Sequence, residues 1–130
     1  MQNHANAERT MGDATLDRYL SAILALSKAL PVVRSVDVAG SLGCSRACVS
    51  MAMKQMKRQA LVRVGDHGAL ALTDEGLRRA ESRQRRCDFF ESLLVRSGVD
   101  ADTAAQEAQA VTHALSVASA EALKACLEAQ

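Results

Sequence analysis

Aromatic residues are almost missing from this chain: one tyrosine, two phenylalanines and no tryptophan in 130 residues. Binding by rows of stacked rings, as single-strand nucleic-acid binders use, is thereby excluded. No apolar run approaches the roughly 20 residues of a membrane span. The first fifteen residues are polar, which predicts a cytoplasmic chain without a signal peptide. Four cysteines at irregular spacing are too few for a disulfide framework and point to reduced thiols. The chain also lacks a Gly-rich phosphate loop, an HExxH pair and a histidine spaced against a nucleophile, so no enzyme is expected. The length suits one domain, or two small subdomains that share helices.

Charge of one sign is missing too, since the net charge is +1. That average hides a division. Residues 16–64 carry eight basic side chains against two acids, a charge of +6. Residues 65–99 balance six arginines against six acids. Residues 100–130 set five acids against Lys124 alone, giving −4. A basic N-terminal half beside an acidic tail suits a protein that meets an anionic polymer with one half.

Residues 1–15 have no periodicity and read as an arm. Leu16, Tyr19, Leu20, Ile23 and Leu24 recur at helical spacing until Pro31. A short helix with Val36, Ala39 and Leu42 on one face follows, then a turn at Gly43. The next helix, from about Ser45 to Ala60, has an apolar stripe of Val49, Ala52, Met53, Met56 and Ala60. Two short apolar runs, 61–64 and 69–72, flank Gly65-Asp66-His67-Gly68 and read as a β-hairpin. Thr73 caps a long helix that ends at Gly98. Asp102 or Thr103 starts a further helix, and a last one, carrying Leu123, Cys126 and Leu127, starts near Ser119. The expected fold is mainly α. A winged helix-turn-helix over 16–76, with the hairpin as wing, precedes a helical domain over 77–130.

Asp37-Val38-Ala39, Leu42, Val49-Ser50, the hairpin and Leu72-Thr73-Asp74-Glu75-Gly76 form one set of landmarks. Gly98-Val99-Asp100 and His113-Ala114-Leu115-Ser116 form a second. In this order they resemble the DtxR/MntR family of metal-dependent transcriptional regulators, over roughly residues 16–129. The length is similar to the short, manganese-regulator type without an SH3-like domain. The resemblance implies a homodimer on double-stranded operator DNA, acting as a repressor, with the small-residue-rich stretch 104–125 in the dimerisation domain. It also implies a groove-facing surface of Ser45, Arg46, Ala47, Ser50, Met51 and Lys54. Arg46 is the candidate for a bidentate guanine contact. Lys57, Arg58, Arg34 and His67 are candidates for phosphate.

The metal ligands that the resemblance implies are mostly replaced. The manganese branch's two first-helix carboxylates align with Arg18 and Ser21, and its long-helix His with Cys87. E-x-x-E-H reads Gln109-x-x-Thr112-His113. Of the iron branch's ancillary ligands only Glu91 is kept. Mn²⁺ and Fe²⁺ favour charged oxygen ligands, which this set has lost. One reading is a metal-independent regulator in which Arg18, bonded to Asp17, Glu91 or Glu107, stands in for the cation. Another is a softer ion such as Zn²⁺ or Cu⁺ on Cys87 and His113, with Glu91 or Cys126; Mn²⁺ or Fe²⁺ at a rearranged site, and an organic effector, are the remaining readings. Cys87 and His113 are equally core residues on the simpler view. Cys44 and Cys48, one turn apart, are either packing residues or an oxidation sensor. A third class is an interaction module that keeps the fold without binding DNA.

Overall fold

Helix formation begins at Asp13, three residues earlier than the apolar periodicity predicts. The computed structural model describes residues 10–130, so residues 1–9 of the expected arm lie outside the described residues. Residues 10–15 belong to the fold. The Gln55 side chain pairs with the Met11 backbone, its Oε1 accepting from Met11 N (2.7 Å) and its Nε2 donating to Met11 O (2.9 Å). This two-bond clasp resembles one rung of a β-ladder and fixes the start of the first helix.

The helices are α1 (Asp13–Ala29), α2 (Ser35–Leu42), α3 (Arg46–Arg58), α4 (Asp74–Arg96), α5 (Ala101–Ala114) and α6 (Val117–Glu128). Strands β1 (Val62–Val64) and β2 (Leu70–Leu72) form the antiparallel wing, pairing Val62 with Leu72 and Val64 with Leu70. The order is that of a winged helix-turn-helix followed by a helical bundle, as the periodicities imply.

Two short polar signals set the helix-turn-helix angle. Asp37 Oδ2 accepts from Arg34 N (2.9 Å) at the start of α2, and Ser45 Oγ accepts from Cys48 N (3.1 Å) at the start of α3. Between them Gly43 has φ +64°, the left-handed conformation that a glycine adopts without steric cost. The core beneath is built from Leu16, Leu20 and Ile23 of α1, Val38 of α2, Val49, Ala52 and Met56 of α3, and Leu61. Each of these larger side chains contributes about 1.5–3 kcal/mol by leaving water. A second cluster, Cys87, Phe90, Ala108 and Ala120, joins α4, α5 and α6. Ala104, Ala108 and Ala120 are buried within this one chain, which uses part of the small-residue stretch otherwise expected at a dimer contact.

Several boundaries shift, each for a local reason. Ala60 is exposed and outside the apolar stripe, because α3 ends at Arg58 and Ala60 turns the chain at φ 58°. Gln55, a polar residue, takes a buried place instead. Asp100 rather than Asp102 or Thr103 caps α5, accepting from Thr103 N at 3.1 Å. Ser116 caps α6 by accepting from Ser119 N at 3.0 Å, which starts that helix two residues early. Leu123, Cys126 and Leu127, expected in an apolar register, are exposed on α6.

The wing is rooted on α4. Thr73 Oγ1 accepts from Gly76 N (3.1 Å) and donates to Ala60 O (2.7 Å), while Thr73 N donates to Leu61 O (3.1 Å). Gly76 then lies against the Leu61 carbonyl so closely that an added Cβ would collide with that backbone. Gly76→Ala should therefore destabilise the fold by about 1–3 kcal/mol or more. Its chemical-denaturation midpoint, compared with that of Gly40→Ala, where a Cβ meets open space, tests this.

Candidate functional site

Helix α3 separates its residues cleanly. Val49, Ala52, Met53, Gln55 and Met56 are buried, which turns Ser45, Arg46, Ala47, Ser50, Lys54, Lys57 and Arg58 to solvent, with Met51 half-buried. Every residue expected to face DNA is thus on the outer face or its border. The helix carries four basic side chains and no acid. Arg46, Ser50, Lys54 and Lys57 border a cleft of about 380 Å³ with Ser35 and Val36 of α2. Exposed donors and long cations in this arrangement can bond base edges and phosphates together.

His67 and Arg34, the phosphate candidates outside α3, are both exposed and are tied to each other. His67 sits at the wing tip with φ 57° inside a single 3₁₀ turn. Arg34 Nε donates to the His67 carbonyl at 3.0 Å, and Leu70 N donates to Val33 O at 2.8 Å. Arg34 therefore ties the wing to the segment before α2, which leaves only its terminal nitrogens for a phosphate. Behind the turn, Tyr19 Oη lies 3.5 Å from Cys44 Sγ, and burial pushes the phenol up, away from ionisation. Cys44 packs there as expected. Cys48 does not: it is exposed on α3.

The effector region is rearranged more deeply. Arg18 is exposed and forms no ion pair among the described residues, so the proposed bond to Asp17, Glu91 or Glu107 is corrected. Arg79 of α4 takes Asp17 instead, at 2.7 Å. The guanidinium inside the region belongs to Arg83, which is 3% exposed and donates from Nη1 to Gln109 Oε1 at 2.9 Å. Burial lowers its proton affinity, and neighbouring Arg18 and Arg86 lower it further. Sequence reasoning missed Arg83. Its signal was the spacing of one helical turn before Cys87 on α4.

Cys87 is buried, and His113 is exposed one residue beyond the buried Thr112. Neither Cys126, exposed on α6, nor half-buried Glu91 completes a site: no cluster of three His, Cys, Asp or Glu able to hold a metal exists among the described residues. The simpler expectation, a core histidine at 113, fails as well. Burial pushes the Cys87 thiol up, with Arg83 and Thr112 opposing. At the position of a cation ligand sit a buried guanidinium, an amide and a neutral thiol. These residues do not fit Mn²⁺ or Fe²⁺, which need several oxyanion ligands and no adjacent cation.

No family profile matches the chain. The transcriptional regulator MntR of Escherichia coli O6:H1 is 25% identical over 128 residues, covering 95% of this chain and 83% of that one. Among solved structures, a manganese-dependent transcriptional repressor in complex with manganese superposes with a TM-score of 0.75 at 31% identity, over 88% of this chain and 51% of that one. The manganese regulator SloR gives a TM-score of 0.71 at 25% identity, over 87% and 53%. The chain spans about half the length of these solved structures. Fold and exposed basic helix define a winged-helix protein with a helical second half. In sequence and architecture it resembles transcriptional regulators of the MntR type.

The thiols give a direct check of the rearranged region. Cys48 and Cys126 are exposed, Cys44 is half-buried and Cys87 is buried with a raised pKa. At neutral pH a disulfide reagent should modify two thiols fast, one more slowly, and Cys87 only on unfolding. Fast modification of Cys87, located by peptide mass mapping, would contradict this arrangement.

Proposed function

We propose that the chain is a homodimeric, sequence-specific DNA-binding regulator of transcription, a cytoplasmic repressor rather than an enzyme, that works without a manganese or iron corepressor. The observation that carries the reading is the exposed face of α3, with Arg46, Ser50, Lys54 and Lys57 around one cleft and no acid on the helix. The named functions of its relatives, a manganese-dependent transcriptional repressor and transcriptional regulator MntR, support it. Val95 on α4 with Val117, Leu123 and Leu127 on α6 are exposed apolar side chains, 38–50% accessible, that support pairing of two copies. A dimer would set two reading helices in successive major grooves of a palindrome.

Metal independence rests on Arg83. A guanidinium bonded to Gln109 joins α4 to α5 where a ligated cation would otherwise do so, and it repels a second cation. Full affinity for a duplex site, selected from a randomised library, is expected in chelator. A strict requirement for added Mn²⁺, Fe²⁺ or Zn²⁺ would overturn metal independence. Binding should fall by about 10³-fold or more between low and physiological salt if six or more phosphates are contacted. Arg46→Ala should cost about 1–3 kcal/mol, concentrated at one guanine position. Absence of duplex binding even at low salt would leave the interaction-module reading in its place.

A further inference from the structure

Arg83 and Arg86 are 3% and 7% exposed, and neither has a carboxylate within ion-pair distance among the described residues. Each uses a single guanidinium nitrogen in a side-chain hydrogen bond, Arg83 to Gln109 and Arg86 Nη1 to Ser82 Oγ at 2.7 Å. An arginine has five N–H donors, so most are unspent. Among the described residues no buried side-chain nitrogen is both sealed from solvent and unbonded, so the unbonded guanidinium nitrogens keep access to open space. Both residues line one cavity of about 390 Å³, and Arg83 also borders a second of about 340 Å³ with Arg18 and Gln109. Two buried, unpaired cations in one cavity are unfavourable unless something anionic meets them.

The rest of the wall suits an anion of limited size. Asp17 lines the cavity and its charge acts on Arg83, but its Oδ1 bonds Arg79 at 2.7 Å and it lies within ion-pair distance of neither cavity arginine. The Asp13 side chain is largely exposed, 3.8 Å from Arg79. Thr112 and Ser116 complete the polar side; Ser116 caps α6 and Val117 begins it, and the N-terminal turn of that helix carries partial positive charge. Leu115 and Ala14 supply apolar surface. The volume is that of a small-molecule site, about 300–1,000 Å³. The walls come from α1 of the winged helix and from α4, α5 and α6 of the second half.

We propose that this cavity binds a small metabolite bearing a carboxylate or phosphate, its oxyanion gripped by the Arg83 and Arg86 guanidiniums, and that occupancy biases how α1 seats against the helical half. The regulatory consequence rests on the DNA-binding reading; the binding step does not. A planar guanidinium fork matches an oxyanion in two parallel hydrogen bonds, which a lysine cannot reproduce.

Calorimetric titration of the full chain with inorganic phosphate, and separately with succinate, tests the site at ionic strength held constant with chloride. Saturable binding of one of them is expected, and which one binds identifies the oxyanion. Arg86→Gln should weaken it by about tenfold or more. Arg83→Lys, which keeps the charge and removes the fork, should do the same and guards against a variant that fails to fold. Lys54→Ala should bind the anion as the parent does. No saturable binding of either anion, or binding lost in Lys54→Ala and kept in the arginine variants, overturns the proposal. Operator affinity should change severalfold at saturating anion, and an unchanged affinity overturns the regulatory part. Failure of DNA binding under every condition would sink the regulator reading and leave the calorimetric result standing, so the two fail separately.

Discussion

Helix α1 packs Leu16, Leu20 and Ile23 into the winged-helix core and must also meet α4, and Asp17 makes the side-chain hydrogen bond between them. Asp17 is nearly buried, and its carboxylate needs a compensating charge at that depth. Arg79 supplies it from the first part of α4. The Gln55 clasp on Met11 holds the other end of the arrangement by fastening the start of α1 to α3. One helix is thus bonded both to α3 and to the helical half. Loss of either polar tie would leave apolar packing intact while freeing the relative angle, which non-directional contacts define poorly.

The charge inside the second half follows a consistent logic. With acids absent from positions 18, 21, 109 and 112, a buried arginine meets no carboxylate there and bonds the Gln109 amide. The same absence removes what a hard divalent cation would need. On the proposed reading, the same helices would attract an anion where a hard cation lacks its ligands.

Most of the architecture could be read from spacing, because apolar side chains recur along α1 and α3 with the period of a helix. Pro31, Gly43, Thr73 and Gly98 mark the breaks. The wing was readable from two short apolar runs around a Gly-rich turn. Side-chain partnerships were less accessible. Six arginines between residues 65 and 99 look equivalent in a charge count, yet Arg79 finds Asp17 and Arg83 is buried while Arg18 stays outside. Which arginine enters is decided by its angle on α4 relative to α5, a tertiary fact that composition does not contain. Cys126 shows the converse: α6 has an apolar look, but Ala120 is its buried contact and Cys126 is exposed.

The wing is held at both ends. Its root is locked by Thr73 and the close Gly76–Leu61 approach, and its tip is tied through the His67 carbonyl to Arg34. A hairpin anchored in this way has its position relative to α3 set at root and tip. Against a duplex the two would act as a caliper. Sequences whose groove width already matches the spacing between them would bind without deformation, and those that must be compressed or widened would bear the elastic cost. Some selectivity would then arise at base pairs that no side chain touches.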